Sequence, residues 1–214
     1  MGRGLWVLLL SAWCLSAVAQ TLEVELRDSR GQPLADAVLW IEPGPLAAAP
    51  APAHVDQRKR QFVPYILAVQ AGTRVSFPNA DPINHHVYSF SPAKRFELRL
   101  QKRNELPQEV LFDRPGLVTL GCNIHDWMLG FILVLDSPWF AQTDAAGVAR
   151  IDYQAAAGQR LHLWHPRIAD APEQLQRELD GAARLRWQLS APLRPDPRPK
   201  EPKGRPQGKG GYVP

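Results

Sequence analysis

The chain has 214 residues, 45% of them hydrophobic, and a formal net charge of +4. That charge sits at the ends: Arg3 near the start, and six Lys or Arg against two acidic residues in 191–214, so that 20–190 comes to −1. A body with no basic excess has no electrostatic footprint for nucleic acid, and none is expected as a partner.

The first 19 residues read as a secretory signal. Arg3 supplies the positive start, 5–15 is an apolar run, and Ala17-Val18-Ala19 is a small-x-small cleavage site. The run is too short to span a bilayer comfortably, so no stable membrane insertion is expected once it is removed. The protein is therefore expected to be periplasmic or otherwise exported. Trp13 is too large for a lipidation signal ahead of Cys14. Cleavage leaves Cys122 as the only cysteine, and a lone thiol in an exported protein cannot form an internal disulfide.

Beyond the signal the chain is almost entirely short strands with turn punctuation. Residues 21–26 alternate, with Leu22, Val24 and Leu26 on one face; Asp28-Ser29-Arg30-Gly31 is a turn and 37–41 a second apolar strand. An Ala/Pro-rich linker covers 43–53. Strands are then expected at 62–69 and 73–77 around Gly72, at 87–90, at 96–100, near Val110 and Phe112, at 117–120 after Pro115-Gly116, and at 130–135. That density fits a Greek-key sandwich.

After Ser137-Pro138 come a turn at Thr143-Asp144-Ala145-Ala146-Gly147 and an alternating strand at 159–164. Residues 175–179 and 185–189 read as a hairpin around Asp180-Gly181, or alternatively as part of an amphipathic helix over 173–189. From 191 onward, seven prolines among Lys, Arg and Gly predict disorder.

The chemistry concentrates in Cys122-Asn123-Ile124-His125-Asp126-Trp127-Met128, with His85-His86 upstream. A thiolate, two imidazoles and a weak thioether form the donor set of a blue-copper electron-transfer site. A strand over 116–120 would deliver Cys122 at its end, and the tight loop would turn His125 and Met128 back to the same point. The second imidazole must come from another strand, and either His85 or His86 meets that need. Phe77, Trp127 and Phe131 are the expected apolar shell. Taken singly, each residue has a commoner role: Met128 as core filler, the histidine pair as a strand cap, Cys122 as a free buried thiol. Zinc is disfavoured because thioether is a poor zinc ligand. His162 and His165 point to opposite faces of a strand and suggest no second metal site, and His54 is expected to be solvated.

These segments resemble the cupredoxins, nearest to amicyanin and plastocyanin. Cys122-x-x-His125-x-x-Met128-Leu129-Gly130 is similar to the short ligand loop and the next strand of that family. Phe62-x-Pro64 and Val69-x-x-Gly72-x-x-Val75-x-Phe77-x-Asn79-x-Asp81 resemble the strands leading to its first ligand. The resemblance covers 61–136. It implies one mononuclear type 1 copper held by His85, Cys122, His125 and Met128. In that family the first ligand is followed by Asn and Val, so His86 takes the Asn position and would brace the loop through Asn123. His86 for Asn and Ile124 for the family's Pro are departures, and they leave His86 open as an alternative ligand. The same stretch is similar to bacterial exported proteins labelled methylamine utilization protein, which implies a link to amine oxidation.

The flanks carry a second resemblance. Val24-x-Leu26-x-Asp28-x-x-Gly31-x-Pro33-Leu34-x-x-Ala37-Val38, with Thr143-Asp144-x-x-Gly147 and Gly158-x-x-Leu161, is similar to a carboxypeptidase regulatory-like sandwich. It implies a discontinuous second β-sandwich from 20–54 and 138–190, with the cupredoxin unit at 55–137 inserted in it. The expectation is thus an all-β protein that carries single electrons between Cu(I) and Cu(II) for a redox partner, a dehydrogenase or a cytochrome. No acid/base pair or nucleophile suggests an enzyme. Copper delivery or storage, or a metal-free binding module, are the alternatives.

Overall fold

The structure, a computed structural model, describes residues 18–45, 50–169 and 175–198, without the side chains of 18 and 104–106. Residues 1–17 of the leader expected over 1–19, and residues 199–214 of the tail, lie outside the described residues. The described residues are all-β. No helix among them is long and apolar enough to cross a membrane.

In chain order the strands are β1 (Val18–Arg27), β2 (Val38–Glu42), β3 (Ala53–His54), β4 (Asp56–Arg58), β5 (Gln61–Val63) and β6 (Ile66–Gln70). Next come β7 (Thr73–Asn79), β8 (His85–Ser91), β9 (Lys94–Leu100), β10 (Asn104–Phe112), β11 (Gly116–Cys122) and β12 (Leu129–Leu135). The last are β13 (Phe140–Gln142), β14 (Val148–Ala155), β15 (Arg160–Trp164), β16 (Gln176–Glu178) and β17 (Arg184–Gln188).

Strand pairing sorts them into two groups. One group has the sheets β14-β1-β17 and β13-β2-β15-β16. The other has β6-β12-β11-β8-β9 and β10-β7-β4-β5, with β3 beside β7. The chain leaves the first group after β2 and returns at β13. The two crossings touch: the Ser137 hydroxyl donates to the Ile41 carbonyl at 2.6 Å, and a side chain at Gly44 would meet Ser137 and Trp139.

Each group buries its own core, as period-two alternation requires of facing sheets. Leu22, Val24 and Leu26 of β1 pack with Leu39, Ile41, Ile151, Leu161 and Leu163. Val75, Phe77, Val87, Phe112, Val118, Leu120 and Ile132 fill the second core. A third cluster of Val38, Ile66, Phe131, Leu133 and Leu135 packs with Trp164 and Tyr65 and joins strands of both groups. This explains why β12 is apolar almost without interruption. Ile132 and Val134 face one core, while Phe131, Leu133 and Leu135 face the seam.

Several expectations from the sequence need correction. Residues 175–189 form neither a hairpin nor a helix: β16 pairs with β15, while β17 runs parallel to β1 in the other sheet. Leu175, Trp187 and Leu189 thereby enter one core from both sides, and the turn at Asp180-Gly181 carries the chain across. The strand expected at 62–69 is split between β5 and β6, which belong to different sheets. The linker ends early, because Ala53 and His54 already pair with β7.

Disorder does not extend to 191–198. The Arg194 N–H donates to the Arg167 carbonyl at 2.7 Å, and Arg167 Nε donates to the Arg194 carbonyl at 2.9 Å. Arg198 pairs with Asp196 and lies 5.0 Å above the Tyr65 ring. Hydrogen bonds and one cation–π contact here hold a segment that has little apolar area to bury.

His165, 6% exposed, follows β15 and accepts a hydrogen bond at Nδ1 from the Arg167 N–H. Burial, and then the charges of Arg167 and Arg198, bring its pKa down from 6.5 to about 4. Below pH 6.5 the unfolded chain takes a proton that the folded chain refuses, so this site's contribution is lost as pH falls from 6.5 toward 4. The urea midpoint should drop over that window by the equivalent of about 2 kcal/mol, and His165→Gln should flatten the decline. Equal pH slopes in the two proteins would contradict this.

Candidate metal centre

Two neighbouring strands deliver the first two donors. Alternation along β8 turns His85 and Val87 inward and His86 and Tyr88 to the other face. Cys122, the last residue of β11, pairs with Val87, and Gly121 pairs with Tyr88. The Tyr88 ring lies across Gly121 so closely that a β-carbon there would come within 2.7 Å of it.

The loop after β11 is closed by backbone bonds. The Asn123 N–H donates to the His86 carbonyl at 3.0 Å, and the Met128 N–H donates to the His125 carbonyl at 2.9 Å. The chain then enters β12, where a β-carbon at Gly130 would press on Phe62 at 3.0 Å.

The result is a buried cluster. Cys122 Sγ lies 3.7 Å from His85 Nδ1 and 3.7 Å from His125 Nδ1, and donor atoms of the three residues fall within 4.8 Å of one another. His85 is 1% exposed, Cys122 3% and His125 9%. Met128 is equally buried and shares the core cluster of Cys122 and Phe77. The Trp127 ring lies 5.3 Å from that of His125, and Ile124 and Trp127 are about half exposed, at 53% and 48%. The cluster therefore sits just below one solvent-facing loop.

Among the described residues, the only such group of His, Cys, Asp and Glu donors contains His85 and not His86. The His86 ring is held outside: Nε2 lies 2.6 Å from Glu97 Oε1, and the Asn123 amide nitrogen lies 3.4 Å from Nδ1. His86 thus braces the loop, the task the resemblance implies for the Asn it replaces. Of the expected apolar shell, Trp127 lies beside His125, and Phe77 belongs to the same buried core as Cys122 and Met128. Phe131 is not, since alternation along β12 turns it to the seam beside Tyr65 and Trp164. His162 stacks on Trp40 at 5.1 Å, away from the cluster.

One residue of the site escaped the sequence reading. Asp81 Oδ2 lies 2.9 Å from His85 Nε2. The same carboxylate accepts the backbone N–H groups of Lys59 at 2.6 Å and Arg60 at 2.8 Å. Its only sequence signal was its place after Asn79 in the strand leading to His85. Asn79 in turn holds the loop through its side chain: Oδ1 accepts the Asp81 N–H, and Nδ2 donates to the carbonyls of Ile83 and Gln101.

The electrostatics suit a cation. Burial alone would raise the Cys122 thiol, but hydrogen bonds from His85, the His86 and Ile124 backbone and His125 outweigh it and bring it down to about 6. For His85, burial acts to lower the pKa, and hydrogen bonding with Cys122 and Asp81 reverses the sign and raises it. Burial would raise Asp81, yet the Arg60 N–H, His85 and the Lys59 N–H hold it below the usual carboxylate value. A ready thiolate beside two imidazoles fits a soft transition metal. Donors held 2.0–2.3 Å from a common ion stand about 3.5 Å apart in a tetrahedron, close to the separations found here.

Fold and site together define an all-β protein with a buried Cys-His-His cluster at one end of its second sandwich. No protein-family model matches the sequence, and no curated protein matches it either. Among solved structures the chain is similar to a purple cupredoxin from Nitrosopumilus maritimus, at 22% identity and a TM-score of 0.35, over 39% of this chain and 99% of that one. It is similar to a Cu(I) structure of a methionine-to-alanine mutant of amicyanin at 18% identity and a TM-score of 0.35, over 45% and 98% of the two chains. It also matches the copper-containing nitrite reductase of Thermus scotoductus SA-01 at 24% identity and a TM-score of 0.37, covering 51% of this chain but only 28% of that one.

Because Tyr88 occupies the space a side chain at Gly121 would need, Gly121→Ala should displace that ring from the strand end that carries Cys122. A loss of about 1–3 kcal/mol is expected in urea unfolding. An unchanged midpoint would show that Tyr88 moves aside freely.

Proposed function

We propose that the protein is a cupredoxin that holds one type 1 copper ion and carries single electrons. The observation that carries this reading is the triangle of Cys122 Sγ, His85 Nδ1 and His125 Nδ1, buried and assembled from two strands and one closed loop. Copper supplies a one-electron couple, Cu(I)/Cu(II), when bound to such donors.

The chain's own part is to keep the donors still. His85 and Cys122 sit on paired strands, and His125 is held by a loop closed at both ends, so little ligand movement is available. Met128 is the weak fourth donor on this reading. His125, beside the exposed Trp127, is the residue nearest solvent and the natural path for the electron. The protein thus moves an electron and transforms no substrate itself. Its partner would be a dehydrogenase or cytochrome outside the cytoplasm. The export signal rests on the residue pattern of 1–19, and the link to amine oxidation and the regulatory-like nature of the flanking sandwich rest on sequence resemblance.

Full-length protein loaded with Cu(II) should absorb intensely in the visible through thiolate-to-copper charge transfer, and ascorbate should bleach it. Cys122→Ser should abolish the band and His86→Gln should retain it. A wild-type protein with no such band would refute the reading, and one that takes up only Cu(I) would point to copper delivery or storage.

Met128→Gln replaces a soft thioether by a harder oxygen donor, which favours Cu(II). The reduction potential of the variant should fall while the visible band persists. An unaltered potential would remove Met128 from the donor set.

A further inference from the structure

The hairpin of β4 and β5 turns on two residues only, Lys59 and Arg60, between the pairs Arg58–Gln61 and Gln57–Phe62. Both are left-handed, with φ of 52° and 57°. Such a two-residue turn ordinarily recruits Asn-Gly, because side chains with a β-carbon disfavour that backbone. Strained backbone of this kind persists where the surroundings over-determine it, and it gathers at functional sites.

Here the strained conformation has a visible consequence. It points two successive N–H groups at Asp81, with Lys59 donating to Oδ1 and Arg60 to Oδ2. The Arg103 N–H reaches the carbonyl of the same residue at 3.2 Å. Asp81 is 6% exposed. A buried carboxylate gripped in this way is an acceptor, so the third contact, His85 Nε2 at 2.9 Å, must be made by a donating N–H. When the ring is neutral, as ligation of a metal requires, that leaves its lone pair on Nδ1, the atom that faces Cys122 Sγ.

We propose that Asp81, clamped by the Lys59–Arg60 turn, is a positioning residue that fixes the tautomer and orientation of His85 and strengthens its donation to the oxidised ion. A carboxylate behind a ligating imidazole raises the ligand's basicity, and loss of such a partner typically costs ten- to a hundredfold in metal affinity. The clamp joins a part of the fold with no ligand of its own, the β4–β5 hairpin, to the ligand least exposed to solvent. This inference rests on the copper reading for its effect on affinity, but the clamp itself is a property of the metal-free chain.

The test is Asp81→Asn in the full chain. Cu(II) affinity should fall at least tenfold more than Cu(I) affinity, and each tenfold of that ratio raises the potential by about 59 mV. The visible band should persist, since the four donors remain. In metal-free protein, nitrogen-15 NMR should find the His85 Nε2 proton protected from exchange in the wild type and unprotected in the variant. If Asp81→Asn does not fold, Asp81→Glu replaces it: the longer side chain misplaces the carboxylate, and the same changes should appear in smaller measure. An unchanged Cu(II)/Cu(I) affinity ratio in a folded variant would overturn the tuning role. Equal exchange of the His85 proton in both proteins would overturn the clamp. A wild type without the thiolate–copper band would refute the copper reading alone, and the exchange measurement would still decide the clamp.

Discussion

Backbone pairing between the start of β8 and the end of β11 sets Cys122 opposite Val87, and the site depends on that register. In a pleated sheet a slip of one residue turns every side chain to the other face. A slip in β8 would send His85 outward and bring His86 in. The buried alternation of His85, Val87 and Ser89 against the core prevents it. Which of the two adjacent histidines faces Cys122 is therefore a packing decision, made by apolar burial.

The two groups of strands share a seam through β12, which presents one face to each side. Phe131, Leu133 and Leu135 pack with Val38 and Ile66 there, and Tyr65 and Trp164 extend the contact through Phe131. The ordered start of the tail joins this arrangement, since Arg198 stacks on Tyr65 and lies 3.5 Å from Asp36 of the first group. The strand that leaves the loop of His125 and Met128 is thus braced from behind by the other group of strands.

Much of the site was readable in advance because its donors are chemically rare. Cysteine, histidine and methionine at short spacing stand out as soft-metal donors without any tertiary information. The β4–β5 hairpin was not readable. Its turn is Lys-Arg, which carries none of the usual turn chemistry, and the reason it forms lies in Asp81, more than 20 residues away. The route of 175–189 was hidden for a similar reason. Local alternation fits a hairpin, and only the shared core of two facing sheets separates β16 from β17.

By itself the sequence determined the all-β class, the run of strands through the centre and the candidate donors Cys122, His125 and Met128, because these follow from period-two patterning and from residue chemistry, both local properties. The tertiary structure alone decided that His85 rather than His86 joins Cys122, that Asp81 stands behind it, that Phe131 serves the seam, and that 191–198 lies along the fold. Each of those depends on which surfaces meet across distant parts of the chain, and side-chain spacing along one strand does not encode that.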